Sequence, residues 1–229
     1  MTFSPLPSLQ PLKPKLRGVL HQYAFFISLS CGIALIVLAP DTKARLAASI
    51  YAFSVSGLLG TSALYHRVNW KPKARRWMKR LDHSMIFVLI AGTYTPLALL
   101  ALHGALAKTV LVMLWAGVVL GVIFKFACPD SPKWLPASVS PKRLTAAIYV
   151  IFGLLTAITF GELPSAVGWL GISGLAVGGL LYIIGAFVYA RERPNPVPKV
   201  FGYHEVFHTL VVVAAALQYA VITSVVLVN

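Results

Sequence analysis

The chain has 229 residues, 58% of them hydrophobic and only 11% charged, with a formal net charge of +14. A soluble domain of this length cannot hide so much apolar surface, so a freely soluble protein is excluded and a single-domain polytopic membrane protein is expected. The basic excess does not point to nucleic acid, because Lys and Arg fall in short loops between apolar runs, where membrane topology accounts for them.

A basic, proline-rich lead over residues 1–17, with Pro5, Pro7, Pro11 and Pro14, is expected to be irregular and cytoplasmic. The remaining 18–229 carry seven apolar spans: Gly18–Leu38, Arg45–Tyr65, Asp82–Leu102, Lys108–Phe126, Leu144–Phe160, Ala166–Ala190 and His204–Val228. Each is long enough to cross a bilayer, the fifth only barely. Backbone groups in lipid must be paired within their own segment, and the runs lack the short alternating pattern of barrel strands. The expected fold class is therefore all-α, a seven-transmembrane helix bundle. The first run is long enough to span and carries no cleavable signal pattern. Pro40, Pro164 and the prolines at 194, 196 and 198 mark span ends.

In span three, Gly92-Thr93-Tyr94-Thr95-Pro96 interrupts the apolar run. It is expected either to kink the helix and widen a cavity or to be quieted by threonine hydroxyls. Span six is crowded with glycines at 168, 171, 174, 178 and 179, which suit close helix packing, with a dimer seam as the alternative. Cys31 and Cys128 follow no metal or redox spacing and are expected to be reduced thiols.

Charge sets the direction. Of the 20 Lys and Arg, only Lys43, Arg45 and Lys108 lie in the loops after spans one and three. The rest fall in the lead and in the loops after spans two, four and six. This places the N-terminus in the cytoplasm and the C-terminus outside. His66 then lies at the cytoplasmic end of span two, Asp82 opens span three, and His204 and His208 occupy the first turns of span seven. All four share one depth near the inner leaflet, where ionisable groups usually mark function.

His204 and His208 are one helical turn apart and face the same side. With His66 they offer three imidazole nitrogens, a donor set suited to zinc that leaves a fourth position open. Iron, copper and nickel also accept imidazole. Asp82 is expected to bind the metal directly or to act as a base toward a water there. Ser62, one turn before His66, is placed to orient that water or a ligand from behind. Each residue has a plainer role as an alternative: His66 at the interface, Asp82 as a helix cap, and the His204–His208 pair as a packing device. His21 is expected at the interface, with an approach to the site as the alternative, His83 toward a neighbour or headgroups, and His103 at the outer end. His204-Glu205-Val206-Phe207-His208 also reads as H-E-x-x-H, a metalloprotease pattern in which Glu205 is the base. No further protease ligand pattern follows, so Glu205 is expected to be an interfacial or packing acid, with a base role as the alternative.

The combination of Ser62-Ala63-Leu64-Tyr65-His66, Asp82 and His204-x-x-x-His208 resembles the hemolysin III branch of the progestin and adipoQ receptor superfamily. The stretch from Leu81-Asp82-His83 to Ala91-Gly92-Thr93-Tyr94-Thr95-Pro96 is similar to its bacterial form. The resemblance covers nearly the whole chain. It implies a zinc ion held by His66, His204 and His208, with Asp82 reaching it through water and Ser62 close by. It also implies a cavity open to a membrane lipid or fatty-acid-like ligand, and a location in the bacterial plasma membrane. Span one departs from the branch: it opens Arg17-Gly18-Val19-Leu20-His21-Gln22 where an acidic, Asn-containing opening is common. The expected activity is hydrolysis of a lipid amide or ester, as in alkaline ceramidases. The alternatives are a lipid-sensing receptor with a structural zinc and a pore-forming haemolysin.

Overall fold

In lipid no water can satisfy backbone N–H and C=O groups, so each apolar run closes its hydrogen bonds on itself as a helix. A computed structural model describes residues 13–127 and 139–228. Cys128, Lys133 and the prolines of the lead before residue 13 lie outside the described residues. In chain order the helices are α1 (Val19–Leu38), α2 (Thr42–Arg67), α3 (Pro72–Pro96), α4 (Gly104–Ala127), α5 (Pro141–Leu154), α6 (Leu163–Arg191) and α7 (Tyr203–Val228). A π-helical turn, Leu97–Ala101, continues α3, and a 3-10 segment, Leu155–Gly161, continues α5. With these extensions, seven helices among the described residues are long and apolar enough to cross a membrane, and together they form an all-α bundle.

Local chemistry sets the ends. The Asp41 carboxylate accepts the Ala44 N–H at 2.7 Å and caps α2. Pro72, Pro141 and Pro164 stand in the first turns of α3, α5 and α6, where their missing N–H costs no helical bond. The fifth span, short by its apolar run, is lengthened by its 3-10 tail. At ~1.5 Å per α residue and ~2.0 Å per 3-10 residue it reaches roughly 35 Å, enough to cross.

Asp82 does not open its helix. Helix α3 begins ten residues earlier, at Pro72, with Lys73, Arg75, Arg76, Lys79 and Arg80 on its leading turns. Hydropathy marks where lipid begins, whereas the helix continues beyond that boundary as a basic extension. A capping role for Asp82 is thereby removed.

The bundle is organised around three helices. In α3, 78% of the membrane window is buried, and in α2 and α7 56% and 44%, against 17% in α1 and 22% in α4. Helix α7 packs on α1, α2, α3 and α6. Small residues permit the close approaches. A Cβ on Gly92 of α3 would lie 2.2 Å from Ser54 Oγ of α2. Gly171, Gly174, Gly178 and Gly185 of α6 all meet α7 side chains, so packing within the chain accounts for these four, whereas an added carbon at Gly168 or Gly179 would meet nothing within 4 Å. The interruption at Gly92–Pro96 resolves in the same way. Thr93 and Thr95 donate to the Leu89 and Ala91 carbonyls, both at 2.7 Å, and the chain passes into the π turn after Pro96.

Candidate metal centre

Because α2 and α7 are both central, the last turn of one meets the first turns of the other at one end of the bundle. There His66, His204 and His208 each present a ring nitrogen, all within 4.8 Å of one another. Ring centroids are separated by 4.7 Å for His66–His204, 5.2 Å for His66–His208 and 4.5 Å for His204–His208. The Nε2 atoms of His66 and His204 lie 3.1 Å apart. A tetrahedral ion with arms of ~2.0 Å needs donors roughly 3.3 Å apart, so this pair is spaced as two ligands of one metal ion would be. His66 and His208 are buried, at 7% and 2% exposure.

The backbone of the N-terminal lead closes over this cluster. Gly18 sits at the start of α1 with φ +80°, and a Cβ there would come within 2.6 Å of the His66 Cβ. Only glycine allows both the turn and the contact. The lead also pairs with the α6–α7 connection, Lys15 and Leu16 N–H donating to the Lys199 and Val200 carbonyls at 3.1 Å. Arg17 Nε then donates to Glu205 Oε1 at 2.5 Å, and the other carboxylate oxygen accepts the Gly202 N–H at 2.8 Å. Glu205 is 1% exposed and both of its oxygens are engaged. It ties the lead to α7 as a packing acid, each oxygen accepting one hydrogen bond.

His21 is not at the interface. It is 2% exposed, and its ring stacks on His208 at 3.7 Å with the planes 9° apart. Neither ring nitrogen has a hydrogen-bond partner among the described residues. The only sequence signal for this was a histidine one turn into a span that starts at the same end as the other three. His83 stands beside a neighbouring helix, α5. It lines the cavity below, and its carbonyl accepts from the Tyr149 hydroxyl of α5 at 2.8 Å. His103 is exposed, in the connection before α4 at the far end.

Asp82 stands outside the three-nitrogen cluster but on the same cavity wall. Ser62, 3% exposed on α2, turns its hydroxyl toward the Asp82 carboxylate. The cavity has a volume of about 430 Å³ and runs between α3, α5, α6 and α7, with Ser62, His204 and His208 at one end. Its walls are mainly apolar, including Leu89, Ile90, Val150, Ile183 and Val211, and Thr93 and Tyr94 from the interrupted stretch of α3 also line it. A slot of this kind suits an apolar chain with a polar head near the imidazoles.

These features define a class: a seven-helix membrane protein with a metal-competent histidine cluster at one end of a mainly apolar cavity. The comparisons narrow it further. A family model described as haemolysin-III related matches residues 9–219. The chain is 31% identical to Hemolysin-3 of Bacillus cereus over 208 residues, covering 89% of this chain and 87% of that protein. It is 28% identical to a Hemolysin-3 homolog of Bacillus subtilis over 209 residues, covering 89% of each. A more distant similarity, 27% over 173 residues, connects it to the adiponectin receptor protein of Drosophila melanogaster, covering 70% of this chain and 38% of that one. The chain belongs to the hemolysin III family of the progestin and adipoQ receptor superfamily.

Proposed function

We propose that this protein is a zinc-dependent lipid hydrolase of the bacterial plasma membrane, acting on an amide or ester in membrane lipid homeostasis. The observation that carries the reading is the juxtaposition of three clustered imidazoles, one carboxylate and a mainly apolar cavity of about 430 Å³. His66, His204 and His208 would hold the ion. When bound, zinc polarises a carbonyl and lowers the pKa of a nearby water toward about 7. Asp82 accepts the proton as water adds to the carbonyl carbon. It returns that proton to the leaving nitrogen or oxygen as the C–N or C–O bond breaks. Ser62 holds the carboxylate in place, and the apolar walls hold the acyl chain.

The histidine end faces the cytoplasm. Lys13, Arg17, Arg67 and Arg75 gather there, and the Lys13 ammonium is pushed below the ordinary lysine value, first by partial burial and then by the neighbouring arginines. Such a basic rim matches the anionic inner leaflet.

Metal analysis of the purified chain and turnover on a lipid panel test this together. About one zinc per chain is expected. Asp82→Asn is expected to keep the metal and lower turnover by roughly 10²–10⁴-fold. A second reading, a lipid receptor with a structural metal, draws on the burial of the cluster among the three central helices and on the similarity to the Drosophila receptor protein. It gains if the parent shows no turnover and Asp82→Asn unfolds the protein or strips its metal. A pore, the activity suggested by the names of the Bacillus relatives, requires ion flux in protein-containing liposomes.

A further inference from the structure

The cavity does not stop at the histidines. Along α7 its lining runs from His204 to Gln218, and along α6 from Tyr189 to Leu175. At ~1.5 Å per residue this is roughly 21 Å of wall. Between the ends the lining is dominated by side chains such as Ile90, Ile183 and Val211. At the far end it becomes polar again, in the interior of the bundle, where an unpaired polar group is costly and calls for a partner.

Gln218 is 4% exposed and lines this end. Its Nε2 donates to the Leu175 carbonyl at 3.4 Å. That contact fixes which way the amide points, since the flipped form would set two oxygens against each other. Oε1 is therefore the outward atom, and it has no hydrogen-bond partner among the described residues. The buried hydroxyl of Tyr182, also on the cavity wall, has none either. The two belong to one locality. The Gln218 amide lies against Gly178, where a Cβ would come within 2.8 Å of Nε2, and Tyr182 is the next residue along that face of α6. The carboxamide oxygen can only accept, whereas the phenol can donate. A single hydroxyl placed between them would give its hydrogen to Gln218 Oε1 and accept from Tyr182.

We propose that Gln218 and Tyr182 form a second polar subsite that takes a hydroxyl on the chain of the bound lipid, roughly 15 Å along α7 from His208. The ligand class is then a long-chain lipid that carries a hydroxyl well away from its head. This rests on the reading of the cavity as a lipid-chain site. A plain acyl chain leaves both atoms unpaired, and a water held between them is the competing occupant.

The test uses the full chain in nanodiscs, with octadecanoic acid and a series of hydroxyoctadecanoic acids differing in hydroxyl position as probes. Binding is followed by native mass spectrometry and by competition. The wild type is expected to bind one mid-chain position roughly tenfold more tightly than the unsubstituted acid, with the gain fading on either side. Gln218→Leu and Tyr182→Phe, both close in shape to the parent residues, are each expected to reduce that gain to about twofold or less. Metal content should stay unchanged in both, and the plain acid should bind at least as tightly as it does to the wild type, because it no longer leaves a polar atom unpaired. A flat series in the wild type, with the plain acid still binding, overturns the subsite alone and favours water. A gain that persists in both variants also overturns it. Failure of every acid to bind overturns the lipid-cavity reading as well.

Discussion

The two ends of the cavity solve the problem of polar groups inside a membrane protein in different ways. At one end, groups of a single chemistry crowd together: three imidazoles offer nitrogens within 4.8 Å, and a fourth ring stacks on His208. Like donors that converge with no acid among them suit a cation, and a metal satisfies them at once. At the other end, Gln218 and Tyr182 keep single atoms of complementary chemistry without a protein partner. Two such atoms are too few to hold an ion but enough to select a hydroxyl. On the proposed reading, the first end binds an ion tightly and the second discriminates between lipid chains.

The largest expected contrast is in metal content. His208→Ala should reduce about one zinc per chain to nearly none, measured by inductively coupled plasma mass spectrometry, because two imidazoles cannot close the site. Gln218→Leu should leave the zinc untouched. If both lose it, the two ends are a single cooperative unit and the contrast fails.

Stability comes next. Glu205→Ala removes the partner of a guanidinium only 19% exposed and frees the Gly202 N–H. A loss of about 3 kcal/mol is expected in reversible unfolding in detergent, the low end for a broken buried pair because Arg17 retains some solvent. Gln218→Leu should cost less than about 1 kcal/mol, since its unpaired oxygen contributes no bond.

A smaller effect separates His21 from the ligands it supports. His21→Ala should weaken zinc binding by roughly 10–100-fold, as happens when a group that orients a ligand is lost, and His21→Phe should recover most of it by restoring the stacked ring. Equal losses in the two variants would assign the effect to the His21 nitrogens instead. The smallest effect concerns α6. Gly178→Ala must displace the Gln218 amide and should cost about 1 kcal/mol. Gly179→Ala, with nothing within 4 Å of the added carbon, should be neutral by the same thermal measurement.

Much of the histidine end was legible in advance, and the reason is local. The i, i+4 spacing of His204 and His208 puts both on one helix face whatever surrounds them, and counting spans brings His66 to the same end. Asp82 was wrongly placed at a helix start, because a basic helical extension and a loop look alike to hydropathy. His21 was placed at the interface because its neighbour across the helices, His208, is 187 positions away, and no local pattern encodes that contact. Glu205 was read as a packing acid, but its partner Arg17 lies in a lead that sequence alone treats as irregular.

The order of apolar runs and basic loops was enough to establish an all-helical membrane protein of seven spans. Burying a helix in lipid depends on the composition of that helix alone, so a one-dimensional reading captures it. Which helices become central, which rings stack and where a cavity opens were decided only by the assembled bundle. Lipid tails are as apolar as leucine, so lateral packing follows close shape fit and small-residue contacts between distant segments. The polar pair at Gln218 and Tyr182 belongs to this second kind of information, since neither residue stands out until α6 and α7 are laid side by side.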